Sequence, residues 1–201
     1  MTQLVLDWDG TVTEIDTLHM VVERFGDLEV FHAAELEIGR ALTLQEAIGL
    51  ELATVRASLE TVVAWLVDTV RVRSGLARLV ERHDPLIVSA GFHELIEPIL
   101  AREGVRARVV AHHVAAEQTG WRASFAPTPV CAVCGERCKR AAVNGLGSFV
   151  YAGDGISDRC VALAADRVFA RAGLAAWLDE RDVAYTPFDD LADVDCAVQR
   201  G

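Results

Sequence analysis

The sequence predicts an α/β protein built on a doubly wound parallel sheet, with an all-helical insert after the first strand. Short apolar runs at 4–6, 86–88, 148–152 and 167–170 alternate with helix-period stretches, the order that gives a parallel sheet covered on both faces. Residues 16–73 break this order with four helical patterns and no strand pattern. The first three runs end in loops rich in Asp, Ser or Gly, and in such sheets ligands bind beyond the carboxyl ends of the strands. We therefore expect a core of residues 1–15 and 74–201 and a helical unit of 16–73.

The elements follow in order. Leu4, Val5 and Leu6 read as a buried strand that Gly10 and Thr11 terminate. Asp16 or Thr17 caps a helix through Phe25, and a second helical pattern runs from Glu29 to Gly39. Thr43 and Glu46 have capping-box spacing, ahead of Leu44, Ala47, Ile48, Leu50 and Leu52 at helical intervals. Ser58 starts a fourth helix carrying Val62, Val63, Trp65, Leu66 and Val70. Ser74 caps a helix over 75–82, which His83, Asp84 and Pro85 end. The strand at Leu86, Ile87 and Val88 stops at Ser89, Ala90 and Gly91, before a helix over 92–102 that Gly104 closes. Segments 105–114 and 121–125 flank a turn at Gln118, Thr119 and Gly120, which predicts a hairpin. Helices are expected over 139–144, 157–165 and 174–180, with a short final segment.

Composition narrows the function. At 201 residues, 52% hydrophobic and 24% charged, the chain is globular rather than disordered. It contains no apolar run long enough for a membrane span, and its first residues lack a basic segment followed by a signal-length apolar core, so a cytoplasmic protein is expected. A formal net charge of −11, with no basic stripe, argues against nucleic acid and anionic membrane as partners. Its nineteen basic residues are all arginine except Lys139. A compact ammonium on a flexible stem does what a planar guanidinium cannot, so the lone lysine points to a site that needs one small cation among oxygens.

Strand alternation sends Asp7 and Asp9 from one face. Read alone, they are equally the solvated end of a strand and its turn. The sheet rule, however, gathers Asp7, Asp9, Ser89, Lys139, Asp154 and Asp158 on one edge. Four carboxylates and one ammonium repel one another unless a divalent cation joins them, and an all-oxygen donor set suits Mg²⁺. Such a site neutralises a phosphoryl group and leaves one aspartate free as nucleophile.

These residues resemble the four motifs of the haloacid dehalogenase superfamily: D-W-D-G-T at 7–11, Ser89 after an apolar strand, the isolated Lys139, and G-D-G-I-S-D at 153–158. The order is the usual one and nearly the whole chain is covered. The insert resembles the cap of the phosphoserine phosphatase-like branch. The C-x-x-C-x-x-x-C-K run and the G-D-G-x-S-D-R-C ending look most like the methionine-salvage 2-hydroxy-3-keto-5-methylthiopentenyl-1-phosphate phosphatases. The resemblance implies a Rossmann-like core and a Mg²⁺-dependent phosphatase acting on a small-molecule phosphate ester through an aspartyl phosphate. It makes Asp7 the nucleophile and Asp9 the acid and base. It assigns Mg²⁺ to Asp7, the Asp9 carbonyl and Asp154, with Asp158 holding a metal-bound water or the metal itself. Ser89 and Lys139 would grip the phosphoryl oxygens, helped by the N–H groups of Trp8, Ala90 and Gly91. The resemblance also sets Asp16 where a substrate-recognising acid sits, and Arg40 lies where a carboxylate-binding arginine could be; both are equally readable as a helix cap or a solvated face.

Two features lie outside this scheme. Cys131, Cys134 and Cys138 have metal-knuckle spacing, with Cys160, His112 or His113 as possible fourth ligands. With five cysteines and no secretion signal, we read them as reduced structural thiols in preference to zinc ligands. The rival to an enzyme is a non-catalytic or zinc-stabilised binding protein on the same fold.

Overall fold

Leu4, Val5 and Leu6 are at most 2% exposed, so the first strand is buried on both faces and belongs at the centre of a sheet. The computed structural model, which describes residues 2–199, bears this out. Seven strands, β1 (Gln3–Leu6), β2 (Leu86–Phe92), β3 (Arg108–Glu117), β4 (Gly120–Ser124), β5 (Phe149–Gly153), β6 (Arg167–Ala170) and β7 (Thr186–Pro187), form one sheet in the order β4-β3-β2-β1-β5-β6-β7. All neighbours are parallel except β3 and β4, the hairpin at one edge. The chain winds outward from β1 to β4 and then returns to β5 on the other side of β1. That reversal opens a crevice at the carboxyl ends of β1 and β5.

Leu4, Leu6 and Ile87 face one apolar cluster and Val5, Leu86 and Val88 the other, as the two-residue period of a strand requires. The first cluster takes in α5 (Leu76–His83), α6 (His93–Arg102) and α9 (Leu191–Val198); the second takes in α7 (Arg159–Ala162) and α8 (Ala172–Asp179).

The insert is four helices, α1 (Thr17–Phe25), α2 (Leu28–Glu37), α3 (Leu44–Leu52) and α4 (Leu59–Thr69). Asp16, Asp27, Thr43 and Ser58 each cap one by accepting a backbone N–H, and Thr43 with Glu46 completes a capping box. Val21, Phe31, Ile48, Leu52, Val62 and Leu66 join the same apolar cluster as Leu6 and Ile99. The chain enters and leaves the insert side by side: Glu14 N–H donates to the Arg71 carbonyl at 3.0 Å, and Arg73 N–H to the Val12 carbonyl at 2.9 Å.

Four expectations change. Gly75 replaces Ser74 at the start of α5: its φ is 97°, and a Cβ there would lie 2.6 Å from the Ala192 amide, where α9 crosses. Strand β2 continues to Phe92 with a register shift between Val88 and Phe92, so Ser89, Ala90 and Gly91 bulge from the ladder. The helices expected at 139–144 and 157–165 are tighter: 3-10 turns at Lys139–Val143 and Ile156–Asp158, the latter followed by the single turn of α7. The final segment holds α9, at whose start the Asp190 N–H donates to Asp193 Oδ2 at 3.0 Å.

Candidate active site

Asp7 follows β1, and its N–H still donates to the Ala152 carbonyl of β5 at 2.9 Å. The next carbonyl, of Trp8, accepts the N–H groups of Val12 and Thr13 at 2.8 and 3.0 Å and curls the chain back. Strand alternation predicts that Asp7 and Asp9 leave from one face, but β1 ends at Leu6, before both, and they take different partners. Asp7 Oδ1 accepts the Lys139 ammonium, whereas Asp9 Oδ1 accepts the Thr17 N–H and hydroxyl at 2.8 and 2.5 Å, where α1 begins. Both still line one cavity of about 410 Å³, together with Ala90, Gly91, Lys139 and Asp154.

Lys139 is buried, and its ammonium also donates to Asp158 Oδ1 at 2.7 Å. Burial opposes its charge, but Asp158 and Asp7 hold its pKa above the ordinary lysine value. Asp158 is fully buried and surrounded by donors. Its Oδ1 also takes the Tyr151 hydroxyl at 2.6 Å, and its Oδ2 takes the N–H groups of Asp154 and Gly155 at 2.8 and 3.0 Å. Burial by itself would raise the Asp158 carboxyl, yet Lys139 and the Gly155 N–H keep it below the usual range.

Asp7, Asp154 and Asp158 each present a carboxylate oxygen within 4.8 Å of the other two. Burial and the Asp158 charge push Asp7 well above a normal carboxyl, and burial with Asp158 pushes Asp154 up to about 6. A cluster of this kind, oxygen-only and carrying more negative charge than Lys139 balances, fits a hard divalent cation such as Mg²⁺. Gly10 lets Asp154 approach: at its φ of 74° a Cβ would stand 2.2 Å from Asp154 Oδ2.

Ser89 Oγ lies 3.5 Å from Asp9 Oδ2 and accepts the Gly91 N–H at 2.8 Å. The Gly91 amide, expected as a phosphate donor, is thus directed at the serine that the resemblance assigns to phosphate. Burial and the charge of Asp16 push Asp9 up to about 7, against the two Thr17 bonds.

Asp16 caps α1 by accepting the His19 N–H at 2.9 Å, and it also lines the cavity. Arg40 is exposed and does not line the cavity. Gly39, at φ 75°, donates its N–H to the Leu42 carbonyl, and this turn carries Arg40 to the outer end of α2. No carboxylate-binding arginine is therefore supplied from that position. The insert's wall of the cavity is instead acidic and apolar: Asp16, Glu35 and Glu51 beside Leu18, Phe31, Leu44 and Ile48.

Four residues that sequence reasoning missed act here. Thr17 orients Asp9, and Tyr151 braces Asp158. Arg171 lines the cavity and donates to the Gly10 carbonyl at 3.0 Å. Glu51 is fully buried with neither carboxylate oxygen partnered. Glu51 carried a signal: it falls three and four residues after Ile48 and Ala47, on the buried face of α3.

Beside this site, Cys131, Cys134, Cys138 and Cys160 bring their sulfurs within 4.8 Å of one another. The fourth neighbour is Cys160. His112 Nδ1 accepts the Ala126 N–H at 3.1 Å, and His113 pairs with Glu94 at 2.8 Å.

The chain matches the haloacid dehalogenase-like hydrolase family model over residues 4–163. It is 24% identical to a 2-hydroxy-3-keto-5-methylthiopentenyl-1-phosphate phosphatase of Bacillus cereus, covering 96% of this chain and 93% of that protein. The protein of that name from Bacillus thuringiensis subsp. konkukian gives the same identity and coverage. Among solved structures, phosphoserine phosphatase from T. onnurineus superposes with a TM-score of 0.69 at 17% identity, over 98% of this chain and 94% of that one. A phospho-aspartyl intermediate analogue of phosphoserine phosphatase also gives 0.69 at 17% identity, over 96% and 97%. At these identities the solved structures speak for the fold.

Proposed function

The chain belongs to the haloacid dehalogenase-like hydrolases, and we propose that it is a phosphatase that hydrolyses a small phosphate monoester through an aspartyl phosphate on Asp7. One observation carries the reading: Asp7, at the β1/β5 crevice, is held by the only lysine in the chain, which is itself anchored to Asp158.

In this mechanism Asp7 attacks phosphorus and the ester oxygen leaves. Asp9, oriented by Thr17, gives that oxygen a proton and then takes one from the water that opens the acyl phosphate. Lys139, the Ser89 hydroxyl and the N–H groups of Trp8 and Ala90 hold the phosphoryl oxygens as their charge shifts. Asp7, Asp154 and the Asp9 carbonyl would hold Mg²⁺, with Asp158 beside them, and the ion supplies electrostatic neutralisation of the phosphate when bound. Asp158 already carries donors on both oxygens, so its main part in this reading is to fix Lys139 and the 153–155 loop.

The acidic and apolar wall bears on the substrate. The carboxylate of phosphoserine would face the acidic Asp16 and Glu35 with no arginine from the insert. An uncharged body with an apolar end, as in the methionine-salvage ester named for the Bacillus proteins, meets Leu18, Phe31, Leu44 and Ile48 without that repulsion. A second reading rests on Glu51, whose buried carboxyl suits an ammonium group, as in an aminoalkyl phosphate without a carboxylate.

The test is hydrolysis of p-nitrophenyl phosphate with Mg²⁺ or chelator, for the native protein and Asp7→Asn, followed by kcat/KM for the methionine-salvage ester, phosphoethanolamine and phosphoserine. Mg²⁺-dependent turnover that falls by about 10⁴-fold or more in Asp7→Asn is expected, with phosphoserine the poorest ester. An active Asp7→Asn overturns the mechanism, and a preference for phosphoserine overturns the substrate reading.

A further inference from the structure

The four thiols beside the active site lie in a setting that the phosphatase reading does not use. We propose that Cys131, Cys134, Cys138 and Cys160 bind one structural Zn²⁺, which fastens the 126–138 loop to α7.

The sulfurs are close enough to share one ion. All four sulfurs lie within 4.8 Å of one another, and Cys131 Sγ is 3.7 Å from Cys160 Sγ. Four thiolates about 2.3 Å from a shared zinc stand about 3.8 Å apart. Four sulfurs leave no open coordination position, so the site is structural rather than catalytic, and soft thiolates select zinc over the Mg²⁺ suited to the aspartate cluster.

Two of the sulfurs, those of Cys131 and Cys160, already receive N–H donors. In the C-A-V-C-G turn, Cys131 N–H donates to the Glu136 carbonyl at 2.8 Å and Gly135 N–H to the Cys131 carbonyl at 2.9 Å. This closes a knuckle that needs Gly135 at φ 74°. The Val133 N–H points at Cys131 Sγ, 3.4 Å away, and an Arg140 N–H at Cys160 Sγ, 3.9 Å away. Donors to sulfur and a nearby guanidinium offset the negative charge of such a centre. Metal binding would exchange the thiol protons for zinc and release them to solvent.

The loop also needs a fastener. Residues 126–138 have no regular secondary structure, and Val130 and Val133 are 59% and 62% exposed. A stretch of this length inside a compact domain is uncommon without something to hold it. Its ends matter, because Cys138 precedes Lys139 and Cys160 stands two residues after Asp158. Zinc would join, behind the cavity, the two segments whose side chains meet in front. Folding brings Cys160, distant in sequence, to the other three, and this favours zinc over the reduced thiols expected from the sequence.

Metal analysis of the purified, undenatured protein after dialysis against Mg²⁺ buffer tests this. About one zinc per chain is expected, released by a thiol-directed mercurial. Cys134→Ser should lower the content at least about tenfold and speed proteolysis of the 126–138 loop, while Cys196→Ser and Asp154→Asn keep the metal. Protein produced with Co²⁺ should show thiolate charge-transfer absorption and tetrahedral ligand-field bands, which keeps the proposal testable if a cysteine variant does not fold. Native protein with far less than one zinc and four titratable thiols besides that of Cys196, a disulfide in place of metal, or zinc lost in Asp154→Asn but retained in Cys134→Ser would each overturn it. None of these readouts depends on turnover, so they fail separately from the phosphatase reading.

Discussion

The Tyr151 hydroxyl donates to Asp158 Oδ1 at 2.6 Å, on the same oxygen that receives the Lys139 ammonium. Tyr151 lies in β5 and is fully buried, so the sheet itself braces the carboxylate that positions the lysine. Tyr151→Phe keeps the ring and removes one charged-group hydrogen bond, worth about 1.5–3 kcal/mol. We expect folded protein of lower denaturant midpoint, with kcat reduced about tenfold; unchanged kcat would mean that Asp158 needs no brace.

Lys139→Arg replaces a point cation by a planar fork in a buried space bounded by Asp7 and Asp158. Charge is conserved and geometry is not. Turnover of p-nitrophenyl phosphate should fall by about 100-fold or more while the circular dichroism spectrum is retained. Near-native activity would remove the argument from the lone lysine.

Gly10→Ala asks for a Cβ at φ 74°, 2.2 Å from Asp154 Oδ2. The left-handed conformation costs about 1 kcal/mol for a residue with a Cβ, and Asp154 must also shift. Equilibrium unfolding should show a loss of about 2 kcal/mol or more, and calorimetry should show weakened Mg²⁺ binding. A variant with unaltered Mg²⁺ affinity would argue against Asp154 as a ligand.

Burial pushes Glu51 from 4.5 up to about 8, and the charges of Glu35 and Asp16 add to the shift. A carboxyl with a raised folded pKa keeps its proton in the folded state while the unfolded chain ionises. Stability is therefore full below about pH 4.5 and is lost as pH rises toward 8. Glu51→Gln removes this loss. The Tm difference between pH 5 and pH 8 should shrink in the variant, by an amount equivalent to up to a few kcal/mol; an equal difference in both proteins would place the ionisation elsewhere.

Much of the fold was legible because local signals agreed with the final packing. The capping residues Asp16, Thr43 and Ser58, the buried run at Leu4, Val5 and Leu6 and the turn at Gly120 act within a few residues of themselves. The start of α5 was misread because Gly75 is required by α9, more than a hundred residues away. Helix α9 was missed in the same way, since its buried Asp195 takes its charged partners, Arg82 and His83, from α5.

By itself the sequence determined the alternation of strands and helices up to residue 180, the family, and which carboxylates and which lysine to expect at one edge, because parallel-sheet topology carries the ends of the parallel strands to one side. Tertiary structure alone decided which oxygen each of them meets. Lys139 lies between Asp7 and Asp158, Arg40 is turned away from the cavity that Glu51 faces, and Cys160 joins the three clustered cysteines. Each of these depends on a meeting of side chains from segments far apart in the chain, which the spacing of residues along it does not encode.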